Sequence, residues 1–354
     1  MLGKQAIKQL RRGSAQAKPP APKTLMQPAP KAPLLQKPRL RQLLQLALPF
    51  VGIFVALALH QLLPNVYPAN YSPRYWAPIL LICTAIYALC YLLACALVPL
   101  RRRLLRLSWL LAAVFLLLEI YDIATLKTGT LKLPFIPSPD KVIEQFVVNF
   151  PQILQAASAS LQLLATGFII GLMLGLVSGV LCGCSRIANY WISPLLKIAG
   201  PVPGLVWLPI FVVGFSSSRI GSIAALVIAV WFPITLMLSN AIKNTDLEYI
   251  EHAQTLGASR LYIVFHVMLP AAVPALANAL FMALAGSFGA LSAAELAGVK
   301  SGLALAVKQM GTIANFGVVF AYVIAMIFIF STLTALMFAV RNWLLRWQKG
   351  LVRW

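Results

Sequence analysis

Runs of about twenty consecutive apolar residues recur along this chain, and no other feature limits its fold as strongly. At about 1.5 Å per residue, such a run crosses the ~30 Å hydrocarbon core of a bilayer as a helix. Within hydrocarbon every backbone N–H and C=O must be satisfied internally, which leaves helices or a closed barrel. A barrel would read as short segments of alternating polarity. Composition agrees with helices: 60% of residues are hydrophobic and 10% charged, against roughly 25% charged in a soluble domain. The chain is therefore predicted to be an all-α polytopic membrane protein. About eight transmembrane helices are expected, over residues 43–63, 77–99, 104–126, 153–183, 192–215, 220–241, 269–297 and 317–341.

The net charge of +21 would point to nucleic acid in a soluble chain. Here it has a topological reading, and no nucleic-acid partner is expected. Eight spans put both termini on one side, and twenty-two of the 29 Lys/Arg then share that side. The other side receives Arg74, Lys127, Lys132, Lys141, Arg219, Lys300 and Lys308. By the positive-inside rule both termini are cytoplasmic, in a multi-pass protein of the cytoplasmic (inner) membrane. Residues 1–42 are rich in Pro, Ala, Lys and Gln and cannot bury a core, so they read as a disordered basic cytoplasmic tail. The first apolar run comes too late for a secretory signal. Residues 43–100 hold two spans, and residues 101–354 hold the rest.

Several local patterns stand out. Ser138-Pro139 is a good helix start, and Val142, Ile143, Phe146, Val147 and Phe150 would lay one apolar face along the outer interface. Gly167, Gly171, Gly175, Gly179 and Gly183 recur every four residues and make a helix-packing stripe. It serves either packing within one chain or a seam between two. The fifth span is interrupted by Pro194, Gly200, Pro201, Pro203, Gly204 and Pro209, so it is bent, either for packing or to line a pathway. Glu295 falls near the outer end of the seventh span, either as an interfacial acid near Lys300 or as a mouth residue. Glu119 and Asp122, at the outer end of the third span, read as interfacial acids. Five Cys read as small packing residues. The three His (60, 252, 266) are scattered and no metal-ligand spacing occurs, so no metal site is expected.

One polar segment interrupts the apolar pattern. Asp246, Glu248 and Glu251 are three of only eight acids in the chain. Thr245 and Glu248 have capping-box spacing, Gly257 suits a left-handed helix end, and Ser259 can cap a short helix from Arg260 to about Met268. The segment reads as helix, glycine hinge, short helix, then the membrane at Pro270. Glu251-His252-Ala253, then Gly257, then Val267 and Leu269-Pro270 resemble the cytoplasmic signature of binding-protein-dependent ABC importer permeases. His252 and Val267 depart from that signature, standing for Ala and Ile. Pro137-Ser138-Pro139 resembles the nitrate, taurine and aliphatic-sulfonate branch, and the likeness runs over about residues 133–350. Gly214-Phe215-Ser216-Ser217-Ser218-Arg219 departs from the branch pattern, and the first two spans lie outside the likeness.

What the resemblance implies is an ABC-importer-permease-like core over residues 101–354, with residues 245–268 coupling it to an ATPase. It assigns ATPase coupling to Glu248, Glu251, His252, Ala253, Gly257 and Arg260. It favours a pathway-lining role for the fifth span, and the pathway candidates are Pro201, Pro203, Gly204, Trp207, Ser287, Ser292 and Glu295. The expected partners are an ATP-binding cassette subunit, an extracytoplasmic solute-binding protein and a second permease copy. The expected solute is small and anionic, like nitrate, taurine or a sulfonate. The chain has no Walker loop and no catalytic cluster, so it is not expected to be an enzyme. No cofactor is expected in this chain, with ATP and Mg on the partner. The competing reading is an ion-coupled secondary transporter or channel without an ATPase, which should show intramembrane charge pairs or internal repeats.

Overall fold

A computed structural model of the chain describes residues 40–65, 74–131, 135–200, 202 and 204–346. The tail before residue 40 and the pathway candidates Pro201 and Pro203 lie outside the described residues. Among the described residues every regular element is helical. Seven helical stretches among these residues are long and apolar enough to cross a membrane.

Helices α1 (Leu40–Leu62), α2 (Trp76–Ala96) and α3 (Val98–Asp122) come first, and α3 runs on through a π-helical turn, Ile123–Lys127. They form one unit around Leu46, Tyr87, Ala94 and Leu104. Gly52 brings α1 close to α3, since a Cβ there would lie 3.2 Å from the Ala112 carbonyl oxygen. The Tyr87 hydroxyl donates to the Leu46 carbonyl at 2.7 Å. Glu119 and Asp122 do not reach interfacial water as expected. Both are buried, and His60 Nδ1 lies 2.8 Å from Asp122 Oδ2.

Helix α4 (Pro139–Val148) starts where expected, with Ser138 Oγ accepting from the Lys141 N–H at 3.3 Å and Pro139 in the first turn. Its expected role, one apolar face along the interface, is corrected by the packing. Asp140 is buried and accepts from the backbone N–H groups of Tyr75 and Trp76, each at 2.7 Å. Those donors sit at the start of α2, where helix N–H groups lack partners of their own. Ile143 packs against the α1–α2 cluster, whereas Phe146 packs against the cluster around Ile153 and Tyr322. Helix α4 is thus a bracket between the first three helices and the rest, leaving Val147 and Phe150 exposed.

Helix α5 (Phe150–Cys184) is followed by α6 (Arg186–Ala199), α7 (Gly204–Gly214) and α8 (Ser218–Lys243). The predicted fifth span is therefore two short helices, one ending at Ala199 and the next starting at Gly204. At 14 and 11 residues, neither crosses a bilayer alone. After α8 come α9 (Leu247–Thr255) and α10 (Arg260–Ile263). A second π turn (Val264–Met268) leads into α11 (Leu269–Ala297), followed by α12 (Leu303–Thr312) and α13 (Phe316–Leu344).

The glycine stripe of α5 faces α8 residue for residue. Gly167 meets Leu226, Gly171 meets Val230, Gly175 meets Ile234, Gly179 meets Leu238 and Gly183 meets Ile242. Both rows advance by four, so one row of glycines forms a groove for one row of aliphatic side chains. Lipid tails give apolar helix faces no hydrophobic reason to associate, so close dispersion contact must hold them. A polar clasp lies beside the seam: Ser178 Oγ is 2.7 Å from Thr235 Oγ1 and accepts from Trp231 Nε1 at 2.9 Å. The same row of α8 also meets α11, where Val230 and Ile234 cluster with Ala279 and Ala283, so both helices close on one ridge of α8.

A Cβ at Gly171 would lie 2.8 Å from the Val227 backbone oxygen, whereas one at Gly289 in α11 meets nothing within 4 Å. Helix propensity alone favours Ala over Gly at both positions by about 1 kcal/mol. Gly171→Ala is instead expected to destabilise the protein by about 1–3 kcal/mol through overpacking. Gly289→Ala should be neutral or stabilising. Thermal unfolding midpoints in detergent check the opposite signs.

Candidate functional site

The polar segment hangs between α8 and α11. Helix α8 ends at Lys243, and the chain turns within three residues into α9. The expected capping box is not formed. Thr245 is buried at the turn and its hydroxyl donates back to the Ala241 carbonyl at 3.3 Å, while Asp246 takes the N-cap position without a side-chain bond. Nothing in α9 is buried: Glu248, Glu251 and His252 are exposed, and Ala253 is half-buried.

The helix ends as a Schellman motif. Gly257 has φ +80°, its N–H donates to the Gln254 carbonyl at 2.9 Å, and the Ala258 N–H donates to the Ala253 carbonyl at 3.0 Å. A Cβ on Gly257 would touch nothing, so the requirement for glycine is conformational. Ser259 then caps the next helix, its Oγ accepting from the Tyr262 N–H at 3.3 Å, with Arg260 exposed beside it.

The second helix does not stop short of the membrane as expected. It passes through the π turn into α11, giving one helical rod over Arg260–Ala297. In the π turn the Leu269 N–H bonds the Val264 carbonyl, five residues back. This wider turn falls where Pro270, lacking an N–H, could not serve an ordinary ladder. Tyr262 and His266 stack with centroids 4.2 Å apart. They border a surface hollow of about 680 Å³ shared with Ala253, Leu256, Gly257 and Ser259. Leu256 and Leu261 are 88% and 72% exposed. These apolar side chains were not singled out by sequence reasoning, which attended to the charges. Their signal is that they fall in a polar segment with no core to bury them.

The other predicted site residues fall along α7 and α11. Gly204 opens α7 against Ala229 and Ala290. Trp207 is half-buried and stacks on Phe211 at 6.3 Å. The Ser287 and Ser292 hydroxyls donate to their own helix, to the carbonyls of Leu284 and Phe288. Glu295 is neither an interfacial acid paired with Lys300 nor a residue open to the mouth. It is 1% exposed, and its Oε2 accepts from the Ala304 N–H at 2.7 Å, capping α12 from another helix. The Ser160 hydroxyl, which also accepts from the Leu303 N–H at 2.9 Å, lies against the same carboxylate. Gly302 makes room for this carboxylate, because a Cβ there would overlap its Cδ.

Next to this cap, a cavity of about 380 Å³ is lined by Gln162, Ser217, Ser218, Arg219, Lys300 and Ser301. Its described lining includes two cationic side chains, Arg219 and Lys300, and no acid. Three separate elements contribute to it, so no sequence motif announces it.

Residues 167–350 match a family described as the binding-protein-dependent transport system inner membrane component. The chain belongs to that family. The match begins at Gly167, within α5, so α1–α4 of this permease lie outside it. A taurine transport system permease protein of Escherichia coli (strain K12) is 28% identical over 184 residues, 50% of this chain and 67% of that protein. A nitrate import permease protein of Leptolyngbya laminosa is 32% identical over 139 residues, 39% of this chain and 50% of that one. A formylaminopyrimidine transport permease protein of Halalkalibacterium halodurans is 26% identical over 240 residues, 66% of this chain and 93% of that protein. This permease thus spans half of the nitrate protein and about two thirds of the taurine protein.

The Glu295 cap yields a prediction on stability. Gly302→Ala should expel the carboxylate and cost about 1–3 kcal/mol, the penalty for leaving buried polar groups unpaired. Glu295→Gln keeps an acceptor for the Ala304 N–H and should cost less. Paired thermal unfolding measurements check the order.

Proposed function

We propose that this chain is the transmembrane permease subunit of an ATP-driven importer for a small anionic solute. Its partners in this reading are an ATP-binding cassette subunit, an extracytoplasmic solute-binding protein and a second copy of the permease. ATP and Mg belong to the cassette subunit, which carries out hydrolysis. Both termini and the α9–α10 segment face the cytoplasm.

The observation that carries the reading is the α9–Gly257–α10 knob. It is folded and doubly capped, yet α9 buries nothing, and the knob presents Leu256, Leu261, Glu248 and Glu251 outward. A rigid, partly apolar surface of this kind is what a docking partner requires. Helix α8 enters it and the rod Arg260–Ala297 leaves it, so displacement of the knob tilts two packed core helices together. Alternating access then proceeds as a rigid-body rotation of permease halves.

The solutes named for the relatives include taurine, nitrate and a formylaminopyrimidine. Family membership therefore leaves the solute open. The chemistry of this chain favours an anion, because Arg219, Lys300 and serine hydroxyls line the cavity at the end opposite the knob. The reading without an ATPase is less well supported. The buried carboxylate of the matched region, Glu295, is committed to a helix cap.

Gly257→Asp places a Cβ in the left-handed region at a cost of about 1–2 kcal/mol and redirects the rod that follows. It is expected to leave membrane insertion intact while weakening copurification of the ATPase and abolishing solute-stimulated ATP hydrolysis. Glu251→Lys should act in the same direction, and Lys349→Ala should do neither. Wild-type ATPase recovery and uptake with Gly257→Asp would contradict the proposal.

A further inference from the structure

The unit formed by α1–α3, which lies outside the family match over residues 167–350, holds a buried cluster of titratable side chains. His60 comes from the last turn of α1, and Glu119 and Asp122 come from one face of α3, three residues apart, just before the π turn. Their donor atoms all lie within 4.8 Å of one another, and all three residues are buried. His60 Nδ1 is 2.8 Å from Asp122 Oδ2. Two carboxylate oxygens, Glu119 Oε1 and Asp122 Oδ1, are buried and have no hydrogen-bond partner.

Buried carboxylate oxygens without partners are costly, and two carboxylates so close repel each other. The nearby ammonium does not pair with them. Lys127 Nζ donates to the carbonyls of His60 and Leu63, each at 2.7 Å, which ties the end of α1 to the π turn of α3. Trp76 Nε1 donates to Glu119 Oε2 at 3.3 Å, so α2 orients one carboxylate from outside the cluster. Such a donor to a ligating carboxylate is the usual outer support of a metal site.

We propose that His60, Glu119 and Asp122 bind a first-row divalent cation, with zinc the best match, and that the ion clips α1 to α3. One imidazole nitrogen and two carboxylates form a borderline donor set that suits zinc and leaves a fourth position for water. A dication balances both carboxylate charges and gives the two orphaned oxygens a partner. Donors around a tetrahedral zinc lie roughly 3.3 Å apart, so small rotamer shifts close the present spacing. Sequence spacing hides the site, because His60 is far from the Glu-x-x-Asp pair along the chain. The expectation of no metal site was drawn from spacing alone.

Full-length protein carrying a tag without histidine tests this after zinc loading and extensive washing. Metal analysis is expected to find about one zinc per chain, and zinc should raise the thermal unfolding midpoint of metal-stripped protein. Glu119→Gln and Asp122→Asn keep the side-chain shape and should each weaken zinc binding at least about tenfold. The exposed control Cys184→Ser should bind as wild type. Wild-type protein that retains no zinc and shows no thermal response would overturn the proposal, whether or not the variants fold. Retention of zinc with unchanged affinity in the Glu119→Gln, Asp122→Asn double variant would also overturn it. In that case zinc binds elsewhere, and the cluster is a His60–Asp122 hydrogen bond beside Glu119.

Discussion

The contact of five glycines on α5 with five aliphatic side chains on α8 is the interaction on which the rest of the structure depends. Lipid removes the usual reason for two apolar helices to associate, and what remains is packing. Gly167 through Gly183 give that packing a register, because each glycine admits one particular neighbour, from Leu226 to Ile242. Helix α8 is thereby fixed along nearly its whole length. The other core elements take their positions from it: α11 on one side through Ala279 and Ala283, and α7 at Gly221, where a Cβ would lie 2.7 Å from the Phe211 carbonyl oxygen.

The knob depends on the same seam. The last pair, Gly183 and Ile242, lies only a few residues before the turn into α9. The returning rod passes through a π turn without breaking and packs on α8 again through Ala272, beside Leu238 and Ile242. The knob is therefore held at both ends by helices that touch each other. At the far end of α11, Glu295 fixes α12 and thereby the loop carrying Lys300 and Ser301. Packing at the centre and hydrogen bonds at the ends divide the work: dispersion sets the register, and caps set where each helix starts and stops.

Much of this was legible in the chain. Helix existence followed from the length of apolar runs, and seven of the expected spans stand as continuous helical stretches. Caps at Ser138 and Ser259 and the left-handed turn at Gly257 were legible because each depends only on its own few residues. Thr245 was misread because it closes the turn at the end of α8, its hydroxyl donating to the Ala241 carbonyl, and the N-cap of α9 falls one residue later at Asp246. Glu295, Glu119 and Asp122 were misread for a different reason. A buried acid is recognisable only through its partner, and those partners, the α12 N-terminus and His60, come from other elements. The break in the fifth span was expected from its prolines. Its division into two helices, and the helix α12, depend on tertiary packing that no local pattern specifies.

In the proposed function, the α5–α8 seam would move as one body while the knob transmits force from an ATPase. Ser178 and Thr235 face each other across it, with side-chain oxygens 2.7 Å apart, close enough for a cysteine pair to bridge. The most direct measurement is ATP-driven solute uptake by reconstituted transporter carrying Ser178→Cys and Thr235→Cys, with native cysteines replaced, before and after oxidation. The account predicts that the crosslinked protein transports as well as the reduced one. Loss of uptake on oxidation, restored by reduction, would show that α5 slides on α8 during the cycle and would contradict the account.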